Sequence, residues 1–141
     1  MLSTPRSIVC AVAVLLSASL STSVRLAEAA GCDPAVLSPG AGACTINGTH
    51  SLADGCHLDF GSRSATLNGT IRSETTGGSF SIAAGDLALS GGKLRADGTG
   101  STAGGSISVA VTGTFRMSGA GALVDVHANA GGGSVDVTAA T

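Results

Sequence analysis

From Thr45 onward the chain alternates apolar and polar residues in short pieces of four to seven residues, punctuated by Gly, Asn and Asp. Pieces of that length with a period of two read as β-strands. No apolar stripe at i, i+3, i+4 is present, and Gly, Ser and Thr are too frequent for helix. The pieces fall into groups of three: 57–60, 64–68 and 70–73; then 79–83, 86–90 and 93–96; then 106–111, 114–118 and 123–128. Residues 134–139 begin a fourth group, and 45–47 and 50–53 form the tail of an incomplete one ahead of them.

The groups are copies of one another. Gly78-Ser79-Phe80-Ser81-Ile82, Gly105-Ser106-Ile107-Ser108-Val109 and Gly133-Ser134-Val135-Asp136-Val137 share one phrase, and first strands starting at 57, 79, 106 and 134 are 22, 27 and 28 residues apart. Self-similarity at such a period marks a solenoid. Three short strands per repeat fit one coil of a parallel β-helix, here of about 3–4 coils. Alternation then predicts the stacked interior. On the first face it holds Leu58/Phe60, Phe80/Ile82, Ile107/Val109 and Val135/Val137. The second holds Ala65/Leu67, Leu87/Leu89 and Phe115/Met117, and the third Ile71, Leu94/Ala96 and Val124/Val126. Every slot is apolar. The rival architecture is an antiparallel sandwich or meander, for which Asn47-Gly48 and Asn68-Gly69 are suitable hairpin dipeptides.

Gly85-Asp86-Leu87-Ala88-Leu89-Ser90, then Gly92-Lys93-Leu94-Arg95-Ala96 and Gly104-Gly105-Ser106-Ile107-Ser108-Val109, resembles the repeats of filamentous-haemagglutinin-type bacterial surface proteins. Leu58-Asp59-Phe60-Gly61 and Ala65-Thr66-Leu67-Asn68-Gly69 resemble the first coils of exported β-helix proteins. The resemblance spans residues 44–139. It implies an all-β, right-handed parallel β-helix, export, and adhesion or cell-surface scaffolding.

The N-terminus carries its own signal. Arg6 precedes an apolar run from Ile8 to Leu20, and Ala27-Glu28-Ala29 supplies small residues where a signal peptidase reads. This is the pattern of a secretory signal peptide over 1–29, cleaved after Ala29. The run is shorter than the ~20 residues a membrane-spanning helix needs, and no later stretch is suitable. Ala29-Ala30-Gly31-Cys32 also resembles a lipoprotein box, the lesser alternative. Residues 30–43 then form a cap or loop, and 44–141 the repeats.

Cys32, Cys44 and Cys56 remain after the leader, an odd number in a chain bound for an oxidising compartment. Three pairings are open. Cys56 alternates with Leu58 and Phe60, so it is expected to face the core as a small hydrophobe. Cys32 and Cys44 flank the Pro- and Gly-containing loop 33–43, so a Cys32–Cys44 disulfide is expected to staple it. A metal site would need a fourth ligand and a CxxC spacing that the sequence lacks.

Composition narrows the function. Charged residues are 11%, the net charge is −2, and aromatics are 2% with no Trp or Tyr. That speaks against nucleic-acid binding, which needs clustered cations or stacking platforms. His57 with Asp59, and Asp125 with His127 and Asn129, are outward residues at i, i+2 that acid–base or metal chemistry could use, but a solvated strand face is the favoured explanation. Vertical stacking is expected to set Asp59 in line with Ser81, Ser108 and Asp136, with two serines between the acids. Arg72, Arg95 and Asp125 share the third face. Asn47-Gly48-Thr49 and Asn68-Gly69-Thr70 are formal glycosylation sequons and equally good turns. The resulting expectation is an exported structural or adhesive module without catalytic residues, cofactor or metal, or a piece of a longer surface protein. Surface or matrix glycans, or self-association through an open C-terminal coil, would be its partners. The alternative is a carbohydrate-active β-helix enzyme relying on Asp125 or Asp136.

Overall fold

The computed structural model describes residues 32–37 and 40–140; the expected leader and its cleavage site lie outside them. After one helical turn, α1 (Pro34–Leu37), all regular structure among the described residues is β. The strands are β1 (Cys44–Ile46), β2 (Thr49–Leu52), β3 (Cys56–Asp59), β4 (Ser64–Leu67), β5 (Thr70–Ser73) and β6 (Phe80–Ala84). They continue as β7 (Asp86–Ser90), β8 (Lys93–Arg95), β9 (Ser106–Val111), β10 (Phe115–Ser118), β11 (Leu123–Asp125) and β12 (Ser134–Ala139).

Every pairing is parallel and joins a strand to its equivalent one coil away, giving three four-stranded sheets: β1-β4-β7-β10, β2-β5-β8-β11 and β3-β6-β9-β12. These are called faces A, B and C. The chain is a β-solenoid of about three turns, and the antiparallel alternative is excluded. The inward column of face A runs Ile46, Leu67, Leu89, Met117, and that of face B runs Ile71, Leu94, Val124, each in register. All the buried apolar side chains from Leu37 to Val111 form one cluster along the axis.

The first coil is registered differently from the sequence expectation. Cys56 stacks on Phe80 and Leu58 on Ile82, so the first-face equivalence is 24 residues, from Cys56 to Phe80. Phe60 continues past β3 and donates its N–H to Ala83 O at 2.8 Å. A slip of two residues keeps every apolar side chain inside, so alternation cannot detect it. The turn before β3 fixes it: Gly55 donates its N–H to Ser79 O at 2.8 Å, and Ser79 donates its own to Asp54 Oδ1 at 2.6 Å.

The expected Cys32–Cys44 bridge is also corrected. Cys32 is bonded to Cys56, with Cα atoms 5.4 Å apart, and Cys44 is a buried free thiol. Cys44 is an inward residue of β1, in register with Ala65, and its Sγ lies 3.6 Å from Ser64 O. Cys56 opens β3 in the first coil, at the end over which the N-terminal segment folds. That segment holds a helical turn, capped by Asp33 Oδ1 accepting from the Ala35 N–H at 2.8 Å, where loop alone was expected. Alkylation in denaturant without reductant is therefore expected to modify Cys44 and spare Cys32 and Cys56; the opposite labelling of Cys44 and Cys56 would reinstate the first pairing. Closing a loop of this separation, 24 residues, constrains the unfolded chain by about 3 kcal/mol. A disulfide in the fold suits an oxidising compartment. Among the described residues, no helix is long and apolar enough to cross a membrane.

Candidate functional site

Face C carries the most regular polar surface. In register, His57, Ser81, Ser108 and Asp136 form one outward column. Asp59, Ala83, Ala110 and Thr138 form the next. The residue that shares the serine column is therefore His57, where the sequence reading placed Asp59. His57 Nδ1 and Ser81 Oγ share a 2.7 Å hydrogen bond, which ties the first coil to the second. Ser106 and Ser134, which open β9 and β12, are in register, and Ser79, one residue ahead of β6, continues their column: the Ser106 N–H donates to Ser79 Oγ at 3.1 Å.

The serine columns line a hollow. A depression of about 200 Å³ is bounded by Gly55, Cys56, Ser79, Phe80, Ser81, Ser106 and Ser108. It shares Ser79 and Ser106 with a shallower one of about 430 Å³, bounded otherwise by Ser134 and by Gly77, Gly104, Gly105, Gly132 and Gly133. The glycines keep the corner low, because they lead each strand without a side chain. Successive hydroxyls stand about 4.8 Å apart between coils and about 7 Å apart along a strand. A hydroxyl both donates and accepts, so this grid matches a polar, uncharged polymer lying across the coils.

The other polar residues singled out in the sequence bond either to the neighbouring coil or within their own turn. Arg95 bridges Asp97 at 3.0 Å and Asp125 at 3.5 Å, which neutralises the expected stripe with Arg72; these half-exposed pairs contribute little stability. Arg72 Nε donates to Ser51 Oγ at 3.1 Å. Asp125 also accepts the His127 N–H at 3.0 Å, so its carboxylate closes the turn after β11. Asn68 Nδ2 donates to Asn47 Oδ1 at 3.1 Å, joining the two sequons in one ladder. His50 Nε2 lies 2.7 Å from Asn47 O.

Sequence reasoning passed over Asp86. It accepts from the Thr114 N–H and from Ser64 Oγ, both at 2.8 Å, and so clamps three consecutive coils at one corner. The Thr114 N–H first and the Ser64 hydroxyl second hold its carboxyl below the ordinary value near 3.8. A depressed folded-state value means stability that is present above the unfolded value and lost as the pH falls through the folded one. Acid titration is thus expected to loosen this corner below about pH 4, and Asp86→Asn to flatten that part of the pH–stability curve; an unchanged curve would show that Asp86 carries none of it. The signal available in the sequence was its place directly after Gly85, at a corner.

Among the described residues, no three His, Cys, Asp or Glu side chains are grouped so as to hold a metal ion. No protein-family model, curated protein or solved structure matches the chain.

Proposed function

We propose that the chain is an exported structural module that presents face C as an adhesive surface for uncharged surface or matrix polysaccharide. The observation that carries this reading is the grid of Ser79, Ser81, Ser106, Ser108 and Ser134 lining two adjoining depressions. A sheet backbone holds the grid rigid, so little ordering entropy opposes binding. The leader-like N-terminus and the disulfide support export, and the resemblance to filamentous-haemagglutinin-type repeats fits a surface role. Arg72, Arg95, Asn47, Asn68, His57 and Asp86 serve coil-to-coil bonds, which favours scaffold over catalyst.

The test is retention of the purified chain on neutral and on acidic polysaccharide matrices, with Ser81→Val/Ser108→Val as the variant. Valine suits a strand, so the fold is expected to persist while retention on the neutral matrix falls at least about tenfold, the loss of one or two hydrogen bonds. Equal retention of variant and parent, or none of the parent, would overturn the adhesive reading. Shortened polysaccharide products whose release depends on Asp125 or Asp136 would replace it with the enzymatic one.

A further inference from the structure

One tripeptide stands at the same corner of two successive coils. Asn47-Gly48-Thr49 leads from β1 into β2, and Asn68-Gly69-Thr70 from β4 into β5, in each case between face A and face B. An asparagine followed by glycine is open to one intramolecular reaction, attack of the glycine nitrogen on the side-chain amide carbon, because no β-carbon hinders the approach. The fold makes the two copies unlike.

At Asn68 the nucleophile is tied up. Gly69 donates its N–H to Ile46 O at 3.2 Å, and a β-carbon added at Gly69 would overlap Gly48 O, so this peptide is wedged against the first coil. At Asn47 the nucleophile is open. Asn47 and Gly48 are both exposed. Among the described residues, nothing lies within 4 Å of a β-carbon added at Gly48, and its N–H has no hydrogen-bond partner. The electrophile is primed as well. Asn68 Nδ2 donates to Asn47 Oδ1 at 3.1 Å, a donor on the oxygen that gains negative charge when the amide carbon is attacked. His50 Nε2 donates to Asn47 O at 2.7 Å, which draws electrons from the Asn47–Gly48 peptide and readies its N–H for proton loss.

We propose that Asn47 is a self-modifying residue, converted to aspartate and isoaspartate by attack of the Gly48 nitrogen, with Asn68 and His50 as positioning donors, while Asn68 in the same tripeptide stays intact. The Gly48 nitrogen forms a bond to Asn47 Cγ, the Cγ–Nδ2 bond breaks, and the proton from Gly48 leaves with the departing ammonia. The product is a five-membered succinimide. Water then adds to one of its two carbonyl carbons and opens the ring, to aspartate or, with the main chain rerouted through Cγ, to isoaspartate. One water is consumed and one ammonia released, with no change of oxidation state. The aspartate product adds a negative charge at this corner and still accepts from Asn68 Nδ2, so the ladder between the coils survives. The corner lies between faces A and B, so the inference is independent of what face C binds.

Peptide mapping by mass spectrometry tests it, on the folded chain produced without glycosylation and incubated at neutral pH. Conversion at Asn47 is expected to run at least about tenfold faster than at Asn68, where the Gly69 N–H must first leave its bond. In guanidinium the two sites are expected to convert at similar rates, since the tripeptide is the same. Asn68→Asp, which keeps the shape and removes the donor, and His50→Phe are each expected to slow conversion at Asn47 at least about threefold, the worth of one hydrogen bond. The comparison of the two sites in the parent needs no variant to fold. Equal rates at the two sites in the folded chain, a difference that persists in guanidinium, an Asn47 that stays unmodified, or variants that convert as fast as the parent would each overturn the proposal.

Discussion

Gly105→Val is expected to destabilise the solenoid by about 4 kcal/mol or more, a loss large enough to unfold much of the population. A β-carbon at Gly105 would overlap the carbonyl oxygen of Gly78 in the coil beneath. Gly133 meets Gly105 O in the same way one coil higher. These are the glycines that open the repeated Gly-Ser phrase, and the cause is backbone approach. The coil beneath passes where the side chain would be, and Ser134 donates its N–H to Gly105 O at 3.1 Å. Neither backbone can withdraw without breaking the pairing of β9 with its neighbours. Gly132 is the control: nothing lies within 4 Å of an added β-carbon there, so Gly132→Val is expected to change stability by less than about 0.5 kcal/mol. Urea denaturation of the two variants decides the matter, and equal midpoints would refute the steric account.

Leu89→Ala is expected to cost about 3–4 kcal/mol, the removal of a fully buried branched side chain plus the cavity left behind. Leu89 lies between Leu67 and Met117 in the face A column. The same truncation one step up, Met117→Ala, is expected to cost about 1 kcal/mol or less in dilute solution, because that side chain is already 44% exposed. The ratio between neighbours in one column is the informative quantity. Denaturant midpoints that fall equally would mean that the last coil is packed as tightly as the one below it.

Alternation and period carried most of the architecture, and for a physical reason. A parallel β-helix repeats one interior slot at every coil, so Leu67 and Leu89, or Ile107 and Val135, occupy equivalent places in both sequence and space. What escaped was set by contacts that alternation does not encode. The two-residue offset of β3 leaves the same residues inside, and the Asp54–Ser79 and Gly55–Ser79 bonds that fix it join residues on successive coils. That offset matters for the candidate site, because it decides that His57, and not Asp59, bonds the serine column. The disulfide escaped for a similar reason. Cys44 looks close to Cys32 along the chain, but β1 turns it into the core, while the fold brings Cys56 to the end that the N-terminal segment covers. Asp86 was hidden because its partners lie 22 and 28 residues away.

The coils lengthen at one corner above all. Between face B and face C the connections are 74–79, 96–105 and 126–133, whereas residues 68–69, 91–92 and 119–122 suffice between face A and face B. Loop length adds little entropic cost once the ends are fixed, and here the ends are fixed by strands paired above and below. The edge between those two faces is thus a natural graft port: foreign peptides spliced there would project sideways like leaves from a stem while the stem keeps its register.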